Sequence, residues 1–227
     1  MAWDITDRTR LSLLASYQRD KGTPSSNFVP MAGSLVAIDG QKVNPTTNLG
    51  DPSVDHETNK QYSLGYEFSH DFNENLSFSS NYRYTHIDNR HLGTYVWSGV
   101  DLANHTATRD AVVNDGTAKN HSIDNRITWR WHNENIRNTL VAGVDYRQQK
   151  VNGVYQSFAI PTIVSPGAVN IFSPAYGISV DTSNIPRNDL KASQFGFYLQ
   201  DSVRLFDKVG ISAGIRHDRA KSEEHTN

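Results

Sequence analysis

Tyr95-Val96-Trp97 sets two large rings one residue apart, and in an extended chain both rings face the same side. A pair so placed can hold a flat organic ligand and exclude water from it, which is how buried aromatic anchors carry binding energy. Other residue types point to less. The nine histidines are scattered, with His86 and His91 in one polar region and His105 and His121 flanking its far side. Histidines on a loop can ligate haem iron, but the spacing here favours unpaired, solvated rings. Arg83, Arg126, Arg130, Arg147, Glu67 and Asp124 share one parity with their polar neighbours, which suits a salt-bridged wall. No nucleophile–base arrangement, glycine-rich phosphate loop or metal-ligand spacing occurs, so neither an enzyme nor a metal site is expected. With no cysteine, disulfides and thiolate ligands are ruled out.

The elements that must carry these residues are strands. Tyr62, Leu64, Tyr66 and Phe68 alternate with Ser63, Gly65, Glu67 and Ser69. After a turn at residues 70–75, Leu76, Phe78, Tyr82 and Tyr84 alternate with Ser77, Ser79, Asn81 and Arg83. A second hairpin pairs Ile123, Ile127, Trp129 and Trp131 with Leu140, Ala142, Val144 and Tyr146. A third pairs Phe195, Phe197, Leu199, Val203 and Leu205 with Val209, Ile211, Ala213 and Ile215 across Asp207-Lys208. Leu11, Leu13, Ala15 and Tyr17 make an earlier strand, broken in pattern only by Leu14. A period of two puts apolar and polar side chains on opposite faces of each strand, and seven strands are counted.

Alternation alone also fits a soluble sandwich, so connection lengths decide. Short turns alternate strictly with long polar segments at about residues 19–60, 87–120 and 147–191, the grammar of a barrel with short periplasmic turns and long extracellular loops. Compact soluble domains rarely carry several structureless loops longer than about 15 residues. A mean hydropathy of -0.59 suits strands that turn half their side chains to a polar lumen, and no run of about 18 apolar residues could form a spanning helix. Tyr17, Tyr62, Tyr84, Trp131 and Tyr146 sit near the expected strand ends, where rings anchor at a membrane surface. With 22 basic and 24 acidic residues the net charge is -2, giving no nucleic-acid footprint.

Trp3-Asp4-Ile5-Thr6-Asp7, Thr9 through Tyr17 and Tyr62 through Phe68 resemble the barrel of TonB-dependent ferric-siderophore receptors, in particular the ferrichrome-receptor branch. Residues 138–146 (NTLVAGVDY), Phe197 through Asp201 (FYLQD) and Ala213 through Asp218 (AGIRHD) resemble further strands of that family, and the order and spacing of all the blocks agree. The resemblance implies an all-β, antiparallel, up-and-down transmembrane β-barrel wall of about seven strands, part of a larger barrel of 22. It implies the outer membrane of a Gram-negative bacterium as location, with outer-membrane lipid around it. The ligand would be a ferric siderophore, imported with energy from the TonB system. The iron arrives already chelated, so no cofactor of the protein is needed. Loop aromatics would form the ligand cup: Tyr95 and Trp97 align with a family pair, and Tyr155 and Phe158 fall where the family has an aromatic cluster. Phe28 stands where ferrichrome receptors carry Tyr-Gly-Trp, a departure that bears on hydroxamate specificity.

Residues 1–227 are thus read as a partial receptor barrel, an internal piece without the plug domain or a signal peptide. Residues 3–8 are read as a strand end and turn, and 221–227 as the opening of another loop. A diffusion porin, a haem-receptor barrel and a soluble β-rich glycan-binding adhesin are the alternatives.

Overall fold

The computed structural model describes residues 2–24, 27–156 and 164–226. Ala2–Thr6 (β1), Thr9–Gly22 (β2), His56–Asp71 (β3), Leu76–Asp101 (β4), Thr106–His132 (β5) and Ile136–Gln156 (β6) follow one another through the sheet. Three short pieces come next: Val164–Ser165 (β7), Ala168–Asn170 (β8) and Ser179–Val180 (β9). Asn188–Leu205 (β10) and Val209–Thr226 (β11) complete it. The sheet order is β1-β2-β3-β4-β5-β6-β10-β11, every neighbouring pair antiparallel, with β8 added beside β5. This is an up-and-down wall, open along β1 and β11.

The register assigns the faces. Phe78, Ile127, Ala142, Leu199 and Ile215 lie side by side in one row on β4, β5, β6, β10 and β11. Leu64 joins Ala15 and Tyr84 in another row of the same face. Leu64, Ile127, Phe197 and Ile211 are all exposed, and among the described residues no second sheet lies over them, which suits a surface solvated by lipid rather than water. Leu14, the break in the first strand's alternation, points to the opposite, polar face against Gly65.

Several expected boundaries move. Residues 87–120 are not a loop: β4 and β5 continue upward for 26 and 27 residues and meet at a four-residue turn, 102–105. β6 runs on to Gln156 and β2 to Gly22 for the same reason. About ten tilted residues span a bilayer, so these hairpins stand well clear of it. Outside the bilayer neither face has to be apolar, so the period-two signal fades while backbone pairing persists. At the ends, Asp4, Ile5 and Thr6 belong to β1 and not to a turn, and residues 221–226 lie in β11 and not in a loop. Tyr62, Tyr84 and Tyr146 accordingly sit inside long strands, where they mark the edge of the apolar band.

The only buried apolar clusters among the described residues lie on the raised hairpin. Val96, Ala107, Ala111 and Val113 keep the same parity as the lipid-facing residues below them. Val43 and Leu49 of the 23–55 segment, with Val169 and Ile171 beyond β6, cover Val96 and Ala107; Val164 and Ile178 cover Ala111, and Val154 and Ile185 cover Val113. One face of the hairpin therefore changes its cover from lipid to packed loop without changing register.

Candidate functional site

Two groups of side chains line the inward parity, one above the other. The upper group centres on Tyr95, which pairs in register with Asp110 and is 7% exposed. Its ring packs edge-on against Phe28, centroids 5.3 Å apart at 72°, and Phe28 is 47% exposed. Phe28 is thus the more exposed of the two rings, and Tyr95 is the buried ring it packs on. Tyr95 lies in a strand instead of a loop. Trp97 stands at a register irregularity between Val96 and Ser98, and the Tyr155 backbone pairs with Asn114. Phe158 is outside the described residues. Burial, reinforced by Asp110, raises the Tyr95 phenol above its ordinary pKa. Burial likewise raises the Asp110 carboxyl, whose Oδ1 has no hydrogen-bond partner.

Phe28 is positioned from the other face of the hairpin. Arg109, 1% exposed, donates from Nε to the Leu49 carbonyl at 2.9 Å and from Nη2 to the Gly50 carbonyl at 3.1 Å. The Leu49 N–H in turn donates to Asn27 Oδ1 at 3.1 Å, and Asn27 precedes Phe28. Asp51, fully buried, sits 4.0 Å from the Arg109 guanidinium. Its Oδ2 accepts the N–H groups of Gly177 and Ile178, and its Oδ1 accepts the N–H and hydroxyl of Ser53. Burial pushes the Asp51 pKa up, but these hydrogen bonds outweigh it and hold the carboxylate below its ordinary value. Burial pulls the Arg109 pKa down while Asp51, Tyr176 and Asp55 support its charge. Arg109 and Asp51 together tie residues 23–55 and 164–187 onto β5. Nothing in their sequence spacing marks them, because they come from separate segments.

The lower group is a charge lattice. Glu67, Asn81, Asp124, Asp145, Gly196 and Asp218 form a single row across six strands. The row on the loop side carries Arg83 and Arg147, and the row on the turn side carries Arg126 and Arg216. Carboxylates opposite one another repel, so Asp124 and Asp145 need partners, and each is served from two strands away. Tyr198 donates its hydroxyl to Asp124 at 2.8 Å, its ring passing over Gly143. Arg216 grips Asp145 with two donors at 2.7 and 3.1 Å, its guanidinium passing over Gly196, and also binds Asp218. Arg216 and Tyr198 themselves lie 5.7 Å apart, cation over ring. The concavity this face bounds has a volume of about 1080 Å³.

The expected salt-bridged wall is thus only partly ionic. Glu67, Arg83, Asp124, Arg126 and Arg147 do line one surface, but Arg126 reaches Asp124 only at 4.0 Å, and among the described residues Arg83 and Arg147 make no ion pair. Arg130 lies lower, at the Ser77 hydroxyl. The strongest pairs, through Arg216 and Tyr198, were not foreseen; lone glycines within strand patterns, which mark close approaches, are the signal that points to them. The four histidines singled out have neighbours and are not unpaired: His86 stacks on Tyr62, His91 faces Glu57, His105 bonds Asp39 and His121 bonds Tyr82.

An open antiparallel wall with a bare apolar band outside and a charged lattice inside is part of an outer-membrane β-barrel. Residues 2–227 match the family model for the TonB-dependent receptor-like β-barrel, and the chain belongs to that family. It is 28% identical over 223 residues to the ferrioxamine B receptor of Salmonella typhimurium, covering 96% of this chain and 30% of that one. The ferrichrome outer membrane transporter/phage receptor of Escherichia coli K12 is 26% identical, with 97% and 32% covered. Among solved structures, the ferric-catecholate import receptor Fiu of E. coli K12 superposes with a TM-score of 0.76 at 20% identity, over 99% of this chain and 34% of that one. The chain spans about a third of the length of these relatives.

Proposed function

We propose that this wall belongs to a receptor that binds a ferric siderophore at its outer end and passes it inward with energy from the TonB system. Phe28 on Tyr95, set on the inward parity above the charge lattice, is the observation that carries the reading. On the family resemblance alone, Trp97, Tyr155 and Phe158 are assigned to the same cup. The siderophore supplies every ligand to its iron, so the protein contributes rings and no metal-binding side chain. Arg83 and Arg147, without an ion pair among the described residues, face the path below and would attract the anionic groups of a ferric chelate or of a domain that closes the lumen. Nothing in the reading calls for bond-making chemistry; the wall binds and gates.

The test is cell-surface binding of a radiolabelled ferric siderophore to the complete receptor, normalised to receptor abundance. Truncating a buried aromatic anchor costs about 2 kcal/mol, near thirtyfold in affinity. Phe28→Ala with Tyr95→Ala should weaken binding at least tenfold, whereas Asn104→Ala with Thr106→Ala should not. Equal affinity in the two variants removes this ring pair from the site.

A further inference from the structure

On the reading of the wall as a siderophore receptor, we infer that Asp110 and the Phe28–Tyr95 ring pair form a subsite for a protonated amine, and that the ferric chelate admitted there carries no net negative charge. Register separates the charges of the strands above the lattice. From the row of Ser63, Thr85, Asn120 and Gln149 toward the loops, the inward parity carries Asp20, Glu57, Asp110 and Glu224 and, among the described residues, no lysine or arginine. The lysines and arginines of the same strand segments, such as Arg19, Arg90 and Lys150, fall on the opposite parity. The inward His91 faces Glu57 at 3.9 Å. A cleft lined by one sign of charge concentrates ligands of the other sign.

Hydrogen-bond supply points the same way. Asp110 is 1% exposed and its Oδ1 has no partner, and the inward Asn59 Oδ1 is a second buried acceptor without a donor. Unsatisfied acceptors cost stability, and such a cost is retained where a ligand relieves it. Asp110 pairs in register with Tyr95, whose ring packs against Phe28. A carboxylate beside two rings has the elements of an ammonium site, since ring faces attract the cation and the carboxylate accepts its N–H groups. The amine enters by turning the Phe28 ring, which is 47% exposed and belongs to the 23–55 segment rather than to a strand. Below, Ile87, Ala118, Val151 and Leu190 make an apolar row on the inward parity, and the next row sets Gly116 opposite Gly153 between Asn89 and Asn188. Apolar side chains, amides and bare backbone suit the methylene and amide linkers of a chelate, and none of them neutralises an anion. Three catecholates leave iron(III) strongly anionic, whereas three hydroxamates leave it neutral and an amine on the linker makes the complex cationic. An amine-bearing hydroxamate chelate is therefore the class this surface fits.

The test uses the complete receptor in detergent and the iron(III) complexes of one linear tris-hydroxamate that ends in a primary amine, in its N-acetyl derivative or in its N-succinyl derivative. The core is then constant while the end group is cationic, neutral or anionic. Wild type should bind the amine form about tenfold tighter than the acetyl form, the worth of one charge-assisted hydrogen bond, and the succinyl form most weakly. Asp110→Asn should bring the amine and acetyl forms to equal affinity, and Asp110→Glu should keep them apart. Asp115→Asn, on the same strand but the opposite parity, should leave the amine preference as it is. Equal affinity of wild type for the three complexes, or an undiminished amine preference in Asp110→Asn, overturns the subsite. Binding of an iron(III) tris-catecholate in place of all three overturns the charge selection and leaves the receptor reading standing. If neither class of chelate binds, the receptor reading falls and the subsite with it.

Discussion

Tyr198 lies across Gly143 and donates its hydroxyl to Asp124 at 2.8 Å, so a residue on β10 neutralises a carboxylate on β5 over the top of β6. Arg216 repeats the device one strand along, crossing Gly196 of β10 to reach Asp145 of β6. The glycines make both bridges possible, since any Cβ there would take the space of the crossing side chain. A sheet is held mainly by pairs between adjacent strands; here the inner face adds ties between strands one removed.

Gly143→Ala places a Cβ closer to the Tyr198 ring than the 3.0 Å that real contacts keep. The ring must move and the Asp124 bond is lost. Overpacking of this kind costs about 1–3 kcal/mol. Thermal unfolding of the complete barrel in detergent should show a lower midpoint for Gly143→Ala, with the loss shrinking in the Tyr198→Ala background, where the ring is absent. Equal losses in both backgrounds would show that the two residues do not interact.

The facing of the sheet has its own test. Arg in place of Leu64 on the outward face should cost about 2–4 kcal/mol near the bilayer midplane, while Arg in place of its inward neighbour Ser63 should be tolerated. Folding yield into lipid vesicles, read by the heat-modified band shift on gels, distinguishes the two; similar yields would mean the faces are reversed.

Arg109→Ala removes the donors to the Leu49 and Gly50 carbonyls and leaves Asp51 buried without its cation. Removing one partner of a buried pair costs about 3–5 kcal/mol. Because the strap lies above the membrane, the loss should open residues 23–55 and leave the wall intact. Limited proteolysis should cut that segment in the variant at least tenfold faster, at an unchanged barrel melting temperature.

Acid should release the same segment. Burial raises the Asp51 pKa, yet hydrogen bonds from Ile178, Ser53 and Gly177 leave it below the unfolded value, which is about 3.9. A depressed carboxylate pKa gives stability that is complete above the unfolded value and lost as the pH falls through the folded one. Pepsin cleavage within residues 23–55 should therefore accelerate below about pH 4, and Asp51→Asn should flatten that dependence.

Asp110 titrates in the opposite sense, since burial raises its carboxyl and leaves Oδ1 unpartnered. Its ionisation opposes the packed state as the pH rises from the unfolded value through the folded one. Asp110→Asn should therefore protect the hairpin against hydrogen exchange at neutral pH relative to wild type, and faster exchange in the variant would refute the assignment.

By itself, the sequence determined which side chains share a face and where the wall turns. Leu64 with Phe68, or Ile127 with Trp129, follow from the strict period of two that lipid on one side and a polar lumen on the other impose. The same constraint made the turns near 133–135 and at Asp207-Lys208 legible, and the block order made the family legible. Tertiary structure alone decided what happens where that constraint ends. Above the bilayer, β4 and β5 remain paired with no apolar alternation to announce them, because backbone hydrogen bonds need no side-chain pattern. Arg109 meets Leu49 and Asp51 across about sixty residues of chain, and Phe28 meets Tyr95 across nearly seventy. The acidic inner surface exists only through register: Asp20, Glu57, Asp110 and Glu224 are scattered in sequence and share one face when the strands align. Periodicity is a local property that sequence displays, whereas register and loop docking are sums of long-range contacts that become visible only once the strands lie side by side.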